Sequence, residues 1–172
     1  MRELSSNIKR KKNHKRCRFC EWIEGGKQWK SGEEGTARLL YENDNWMACL
    51  DQFPKVDGHT LIIFKKPYDD ISDVSELSNE EACDFFYIMR HVTSKLKKNL
   101  KVPKVYVMSI CEHYEVDEIK YPDKKTSEHL HFHLLPFDKS SCPMISPEVV
   151  FTFEGKKISF TQMKEVNDRI RQ

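Results

Sequence analysis

The sequence lacks any long hydrophobic run. No part of its 172 residues approaches the roughly 20 consecutive apolar residues that a membrane-spanning helix needs. Its first residues also lack the apolar segment that forms the core of a secretory signal. We therefore expect a soluble, cytoplasmic protein with no membrane partner.

Internal repeats and, after the first 16 residues, low-complexity segments are also absent. Hydrophobic residues make up 38% of the chain and charged residues 33%, and ten Phe, six Tyr and three Trp are available for a core. This composition excludes wholesale disorder. The length fits a single domain of ordinary size.

The net charge of +2 conceals two unlike parts. Residues 1–18 carry eight basic side chains and one acidic side chain, a net charge of +7, which leaves −5 for the rest. We expect a basic flexible arm over residues 1–16 and a mildly acidic folded part after it. Nucleic-acid binding is therefore predicted only through the arm.

Six cysteines are present, and only Cys17 and Cys20 form a motif, Cys-x-x-Cys. Without a secretory signal, cysteines are expected to be thiols rather than a disulfide framework. Glycines at positions 25, 26, 32 and 35 predict a loop in the segment that follows this motif.

Hydrophobic patterning predicts an α+β fold, in which an antiparallel sheet is packed by one long helix. The capping box Ser78-Asn-Glu-Glu81 and the apolar spacing after it predict the helix, over residues 79–99. Strands are predicted at 38–43, 45–51, 59–64, 105–110 and 128–135, a second hairpin at 149–153 and 157–160, and a short C-terminal helix with apolar Met163, Val166 and Ile170. We expect a catalytic domain over residues 17–137 and a C-terminal extension over 138–172.

The candidate chemistry lies in the predicted strand 128–135. Because strand side chains alternate between faces, His129, His131 and His133 are expected on one face and three apolar residues on the other. Neutral imidazole can attack phosphorus through one nitrogen while a hydrogen bond holds the other. A zinc-dependent hydrolase with the three histidines as ligands is an alternative. A non-catalytic nucleotide-binding or nucleic-acid-binding protein is another.

These residues resemble the histidine-triad (HIT) superfamily of nucleotide hydrolases and transferases. The family signature has three histidines separated by single apolar residues, and two further apolar residues follow the third histidine. The segment His129-Leu-His-Phe-His-Leu-Leu135 matches this signature at every position. The segment Asp57-Gly-His-Thr-Leu-Ile-Ile63 resembles a second family motif, and the likeness extends over about residues 38–136. It implies a HIT-like sheet of about five strands.

The resemblance also implies roles for individual residues. His131 would be the nucleophile that forms a nucleotidyl-histidine intermediate, His133 would contact phosphate and assist the leaving group, and His129 would orient His131. His59 would be a fourth histidine of the site. Asp51 would bind the ribose hydroxyls, and Leu50, Phe53 and Ile62 are candidates to enclose the base. The implied substrate is a purine nucleotide or its conjugate, joined by a phosphoanhydride, as in a dinucleoside polyphosphate, or by a phosphoramidate.

In one segment the chain departs from the family. A glycine-rich loop ending in Gly-Gln-Ser/Thr precedes the triad in the family, whereas Lys125-Thr-Ser127 stands there in this chain. Lys125 is therefore a candidate point cation for phosphate, and Ser127 a candidate substrate contact.

Some family members also carry a Cys-x-x-Cys that binds structural zinc, and many are homodimers. The likeness implies a zinc site with Cys17, Cys20 and His129 as ligands, and a homodimer. It implies no cofactor for catalysis itself.

Overall fold

The computed structural model describes residues 17–66, 73–109, 129–137 and 158–172. The predicted arm, the segment from 112 to 127 with Lys125 and Ser127, and the hairpin residues 149–157 lie outside these ranges. The elements are α1 (Arg18–Ser31), α2 (Glu33–Arg38), β1 (Leu39–Glu42), β2 (Trp46–Leu50), β3 (Thr60–Phe64), a 3-10 turn (Val74–Glu76), α3 (Asn79–Leu100), β4 (Lys104–Met108), β5 (His131–Phe137) and α4 (Phe160–Arg171).

The five strands form one antiparallel sheet in the order β1-β2-β3-β5-β4. This confirms the predicted α+β class and the strand count. The start of β5 differs from the prediction, because the strand begins at His131 rather than at residue 128. His129 therefore precedes the strand.

The two faces of the sheet bury separate clusters. Trp46, Ile62, Phe64 and Leu134 pack on the α3 face, where Phe132 contacts Phe85 with ring centroids 4.2 Å apart. The opposite face buries Met47, Cys49, Leu61 and Ile63 beneath α1. The predicted packing of the apolar face of β5 on the long helix is thereby confirmed.

Helix α3 begins and ends as its sequence indicates. The Ser78 hydroxyl accepts a hydrogen bond from the Glu81 backbone N–H, and the Glu81 carboxylate accepts one from the Ser78 backbone N–H. Lys101 caps the C-terminus in the left-handed conformation, with φ at 56°. No helix among residues 17–66, 73–109 and 158–172 is long and apolar enough to cross a membrane.

The predicted loop after Cys20 is wrong, because residues 18–38 form α1 and α2. A glycine within a helix costs roughly 0.5–1 kcal/mol relative to alanine. Burial outweighs that cost here, since Phe19 and Trp22 are nearly inaccessible to solvent beneath the sheet. Trp22 also stacks against the Arg38 guanidinium, 3.8 Å from its ring centroid.

The predicted C-terminal helix is confirmed as α4, which packs on α2, α3 and β1. Its buried face consists of Met163, Asn167 and Ile170. The Asn167 side-chain amide donates hydrogen bonds to the carbonyls of Ala37 and Leu39. Phe160 begins this helix instead of ending a strand, because Ser159 is its N-cap and receives the Gln162 backbone N–H.

Gly58 lies at the tightest turn near the site. Its φ is +75°, and a Cβ there would lie 2.4 Å from the Leu100 Cδ1 atom. Glycine alone accommodates both this conformation and this close approach. The turn delivers His59 to the start of β3.

Candidate functional site

Three histidine rings form a continuous hydrogen-bonded chain on the α1 side of the sheet. His133 Nε2 lies 3.2 Å from His131 Nε2, and His133 Nδ1 lies 2.9 Å from His59 Nε2. We call these three residues the histidine relay. His131 and His59 are almost completely buried, and His133 is partly buried.

Both ends of the relay contact backbone groups, and these contacts fix its tautomers. The Lys55 backbone N–H donates to His59 Nδ1 at 3.3 Å, so this nitrogen is an acceptor. His131 Nδ1 lies 2.7 Å from the His129 carbonyl, so this nitrogen must carry the proton. The two ring-to-ring hydrogen bonds then have one possible direction. His59 Nε2–H donates to His133 Nδ1, and His133 Nε2–H donates to His131 Nε2. The unprotonated nitrogen of His131 is therefore Nε2.

Burial keeps His59 and His133 uncharged. Desolvation lowers the pKa of His59 to about 4, although the nearby Asp51 carboxylate opposes this shift. Desolvation, together with the neighbouring His59 and His131, lowers the pKa of His133 to about 2. Both rings are thus neutral near pH 7, as the tautomer assignment requires.

Backbone contacts hold the relay on β3 and β5. The Ser109 hydroxyl donates to the His131 carbonyl at 3.0 Å, and Leu61 pairs with His133 in the sheet register. The chain between β2 and β3 is closed by the Asp51 backbone N–H, which donates to the His59 carbonyl at 2.9 Å. The site is therefore built on rigid elements rather than on a long loop.

Asp51 lies at the end of the relay nearest solvent. One carboxylate oxygen lies 3.4 Å from His59 Nδ1, and the other accepts the Phe53 backbone N–H at 2.9 Å. Its side chain is 17% exposed, so the carboxylate can still accept hydrogen bonds from a ligand. The structure thus brings Asp51, His59, His131 and His133 together, as the sequence predicted.

His129 lies on the same α1 side of the sheet as the relay, but its ring contacts the cysteine sulfurs and a backbone carbonyl. Its Nδ1 lies 3.6 Å from the Cys17 sulfur and 3.4 Å from the Cys20 sulfur, and its Nε2 lies 2.5 Å from the Phe64 carbonyl. It touches His131 through its backbone carbonyl. The contact between His129 and His131 is thus made by the His129 backbone, while the His129 ring faces the two cysteines.

The cluster of Cys17, Cys20 and His129 has the donor set of a zinc site. The three ligand atoms lie within 4.8 Å of one another, and all three residues are buried. Because His129 Nε2 donates to a carbonyl, its Nδ1 lone pair faces the sulfurs, as ligation requires. The hydrogen bond with Cys20 and burial raise the pKa of the Cys17 thiol, so without a cation this thiol favours the protonated form. The described residues group no fourth Cys, His, Asp or Glu ligand with these three.

Phe19 is a site residue that the sequence analysis missed. Its ring centroid lies 4.8 Å from that of His131 and 5.8 Å from that of His129, so it touches both the relay and the cysteine cluster. Its position between the two cysteines was the available signal, because a turn that brings Cys17 and Cys20 to His129 must also bring residue 19 close to the triad.

The three side chains that the sequence suggested as contacts for the nucleotide base lie in different parts of the structure. Ile62 is completely buried in the α3-face cluster, so it cannot contact a nucleotide without unpacking the core, and this prediction is wrong. Leu50 belongs to the same cluster but also lines a cavity of about 440 Å³ beside Asp51 and His59. Phe53 is partly buried in the loop that follows Asp51.

Comparisons with known proteins agree with this geometry. A family model described as "HIT domain" matches residues 33–140. An uncharacterised HIT-like protein of Methanocaldococcus jannaschii is 28% identical over 120 residues, which cover 70% of this chain and 78% of that protein.

Solved structures share the fold. A hypothetical histidine triad nucleotide-binding protein from Sulfolobus tokodaii superposes with a TM-score of 0.60 at 21% identity, over 90% of this chain and 89% of that one. A zinc-bound histidine triad family protein from Mycobacterium smegmatis gives 0.58 at 17% identity, over 90% of each chain. Plasmodium falciparum diadenosine triphosphate hydrolase gives 0.54 at 14% identity, over 78% and 74%. At these identities the likeness shows the fold.

Proposed function

The chain belongs to the HIT domain family, and we propose from this premise that it is a nucleotide hydrolase or transferase whose nucleophile is His131 Nε2. The observation that carries the proposal is the direction of the hydrogen bonds in the relay. They leave the reactive lone pair on Nε2 and place the proton of His131 on the nitrogen that faces a carbonyl.

The geometry supports a two-step reaction. His131 Nε2 attacks the α-phosphorus of a nucleoside 5′-phosphoryl compound, a P–N bond forms, and the bond to the leaving group breaks. The His129 carbonyl accepts the Nδ1–H of His131 and stabilises the positive charge that develops on the ring. Water or another acceptor then attacks the same phosphorus and releases His131.

His133 is the proposed proton donor in the first step. Its Nε2–H points at His131 in the free site, and a bound phosphoryl or leaving-group oxygen would accept this hydrogen bond instead. Because His133 is neutral, it can give up this proton only if the His59 Nε2–H moves to His133 Nδ1 at the same time, and a proton from solvent beside Asp51 then replaces it at His59 Nδ1. This route needs no metal ion at the relay.

Asp51 is proposed to bind the ribose hydroxyls. A carboxylate accepts two hydroxyl donors, and Asp51 lies beside the relay with its side chain partly exposed. Leu50 and Phe53 remain candidates for the base end of the substrate. The proposed phosphate contacts of Lys125 and the proposed role of Ser127 remain predictions from the sequence.

A structural zinc ion at Cys17, Cys20 and His129 is a second part of the proposal. Two thiolates and one imidazole are soft and borderline ligands that suit zinc, and a buried site away from the relay suits a structural role. The ion would fix the start of α1 against the residue that precedes β5.

Mass spectrometry after brief exposure to a nucleoside 5′-phosphoramidate tests the nucleophile. The wild-type chain is expected to gain the mass of one nucleotidyl group on His131. His131→Asn should lose the adduct and at least about a thousandfold of turnover, because nucleophile removal abolishes the covalent route. Wild-type turnover in His131→Asn, or an adduct on another residue, would refute the proposal.

His91→Asn is the matched control, because it makes the same change at a histidine on α3 that contacts Tyr41 and not the relay. It should retain the adduct and the turnover. A metal-dependent hydrolase makes the opposite prediction for chelation, so activity that a chelator abolishes without unfolding the protein would favour that alternative.

A further inference from the structure

The C-terminal helix α4 forms one wall of the cavity beside Asp51. The cavity has a volume of about 440 Å³ and is lined on one side by loop residues from Asp51 to His59. Ile158, Gln162, Glu165 and Val166 line the other side. A ligand held at Asp51 therefore has side chains of the C-terminal extension within the same cavity.

Two contacts hold this wall in place against the loop. The Ile158 backbone N–H donates to the Gln52 carbonyl at 3.2 Å. The Arg169 guanidinium donates to both carboxylate oxygens of Asp57, each at 2.7 Å. These contacts lie on different parts of the loop between β2 and β3, so α4 is a fixed part of the cavity.

The wall presents a defined pattern of hydrogen-bonding groups. Gln162 and Glu165 are three residues apart on a helix and therefore project from neighbouring positions. The Gln162 side-chain oxygen accepts the Ser159 backbone N–H at 3.0 Å, which leaves the amide nitrogen as the donor that this side chain can offer to a ligand. The Glu165 carboxylate supplies two acceptor oxygens. One donor thus stands beside two acceptors.

This pattern complements the edge of guanine. Guanine presents one acceptor, O6, beside two donors, N1–H and the 2-amino group. Adenine presents an amino donor beside the N1 lone pair, which would face a carboxylate oxygen. Apolar Ile158 and Val166, from the same wall, suit the faces of a planar ring.

We propose that Gln162 and Glu165 recognise the guanine base of a nucleotide whose ribose is bound by Asp51. The substrate class is then a guanine nucleotide conjugate. This inference rests on the proposed function, which assigns the ribose hydroxyls to Asp51. A negatively charged wall is compatible with such a ligand, because the phosphates lie at the opposite, histidine end of the nucleotide.

Binding of GMP, IMP and AMP to the full chain tests the inference without requiring catalysis. The wild-type chain should bind GMP at least about tenfold more tightly than AMP, because a polar site rejects a base that leaves its groups unpaired. IMP, which retains O6 and N1–H but lacks the 2-amino group, should fall between them. Equal affinity for the three nucleotides, or a preference for AMP, would overturn the inference.

Variants identify the responsible side chains. Glu165→Gln should weaken GMP binding by about tenfold or more and leave AMP binding nearly unchanged, since a charged acceptor is lost. Gln162→Glu preserves the helix cap, where glutamate also serves, but replaces the donor that faces O6, so it should weaken GMP binding as well. Asp168→Asn is the matched control, because Asp168 pairs with Lys164 in an exposed i,i+4 ion pair outside the cavity lining.

Two further results separate this inference from the proposed function. If no adduct forms on His131 but Glu165→Gln selectively weakens GMP binding, guanine recognition stands and the proposed chemistry fails. If guanosine and adenosine phosphoramidates label His131 at the same rate and Glu165→Gln slows both equally, the chemistry stands and guanine recognition fails.

Discussion

The triad histidines belong to two unlike regions, although a single residue separates each from the next. In the histidine relay, His131 and His133 contact other imidazoles, and His59 at the end of the relay lines a cavity. In the cysteine cluster, His129 contacts two sulfurs and a carbonyl and is completely buried. The same residue type thus faces other imidazoles in one region and two thiols in the other.

The difference arises from the position at which β5 begins. His131 and His133 obey the strand's alternation and share the α1 side of the sheet, whereas His129 lies before the first paired residue. Its ring turns toward Cys17 and Cys20, and its carbonyl remains against His131. The cluster therefore supports the relay through a backbone contact and through Phe19.

Of the changes compared between the relay and the cysteine cluster, the removal of His133 should cause the largest loss of turnover. His133→Asn is expected to reduce turnover by about 10²–10⁴-fold, because a positioned general acid contributes that much. The loss should be much smaller for a substrate with a strongly acidic leaving group, which departs without a proton. Steady-state kinetics with matched good and poor leaving groups measures the difference.

Equal losses for both leaving groups would contradict the proton-donor role of His133. The cysteine cluster should remain intact in this variant, so an unchanged zinc content serves as the internal control.

Substitutions in the cysteine cluster should lower the stability of the fold more than they lower turnover. Cys17→Ser and Cys20→Ser are each expected to remove zinc from the purified protein and to lower its thermal midpoint by several degrees, because metal binding contributes to folding free energy. Elemental analysis and thermal denaturation measure the two effects. Cys83→Ser is the control, since Cys83 is an exposed thiol on α3.

A wild-type protein that carries no zinc after purification in zinc-containing medium would contradict the proposed ion. So would a cysteine variant with unchanged zinc content.

Local patterns in the sequence pointed to the residues that the structure brings together in the relay. Alternation placed His131 and His133 on one face, and the capping box at Ser78 placed α3 behind the other. His59 and Asp51 came from the motif before β3. Each of these signals depends on periodicity or on a short segment.

The remaining features depend on contacts between distant segments. The ring direction of His129 is set by Cys17 and Cys20, more than 100 residues earlier. Helix α1 forms despite its glycines because Phe19 and Trp22 are buried under the sheet. The sequence suggested Ile62 as a contact for the base of a nucleotide. Strand register places Ile62 on the α3 face of the sheet, and a single segment of sequence does not reveal that register.

The smallest expected effect is a dependence of stability on pH that belongs to the relay. Because folding lowers the pKa of His59 to about 4, the unfolded chain, with a pKa near 6.5, binds more protons between these values. Stability is therefore fully present above pH 6.5 and is lost as the pH falls toward 4, by up to about 1.4 kcal/mol per pH unit for this group. Denaturant unfolding between pH 7 and pH 5 measures the slope. His59→Asn should remove the share of the slope that belongs to His59 and leave the share of His133, whose pKa is also lowered, to about 2. The control His91→Asn should leave the slope as it is, and an equal slope in both variants would mean that protons taken up elsewhere in the chain govern acid stability.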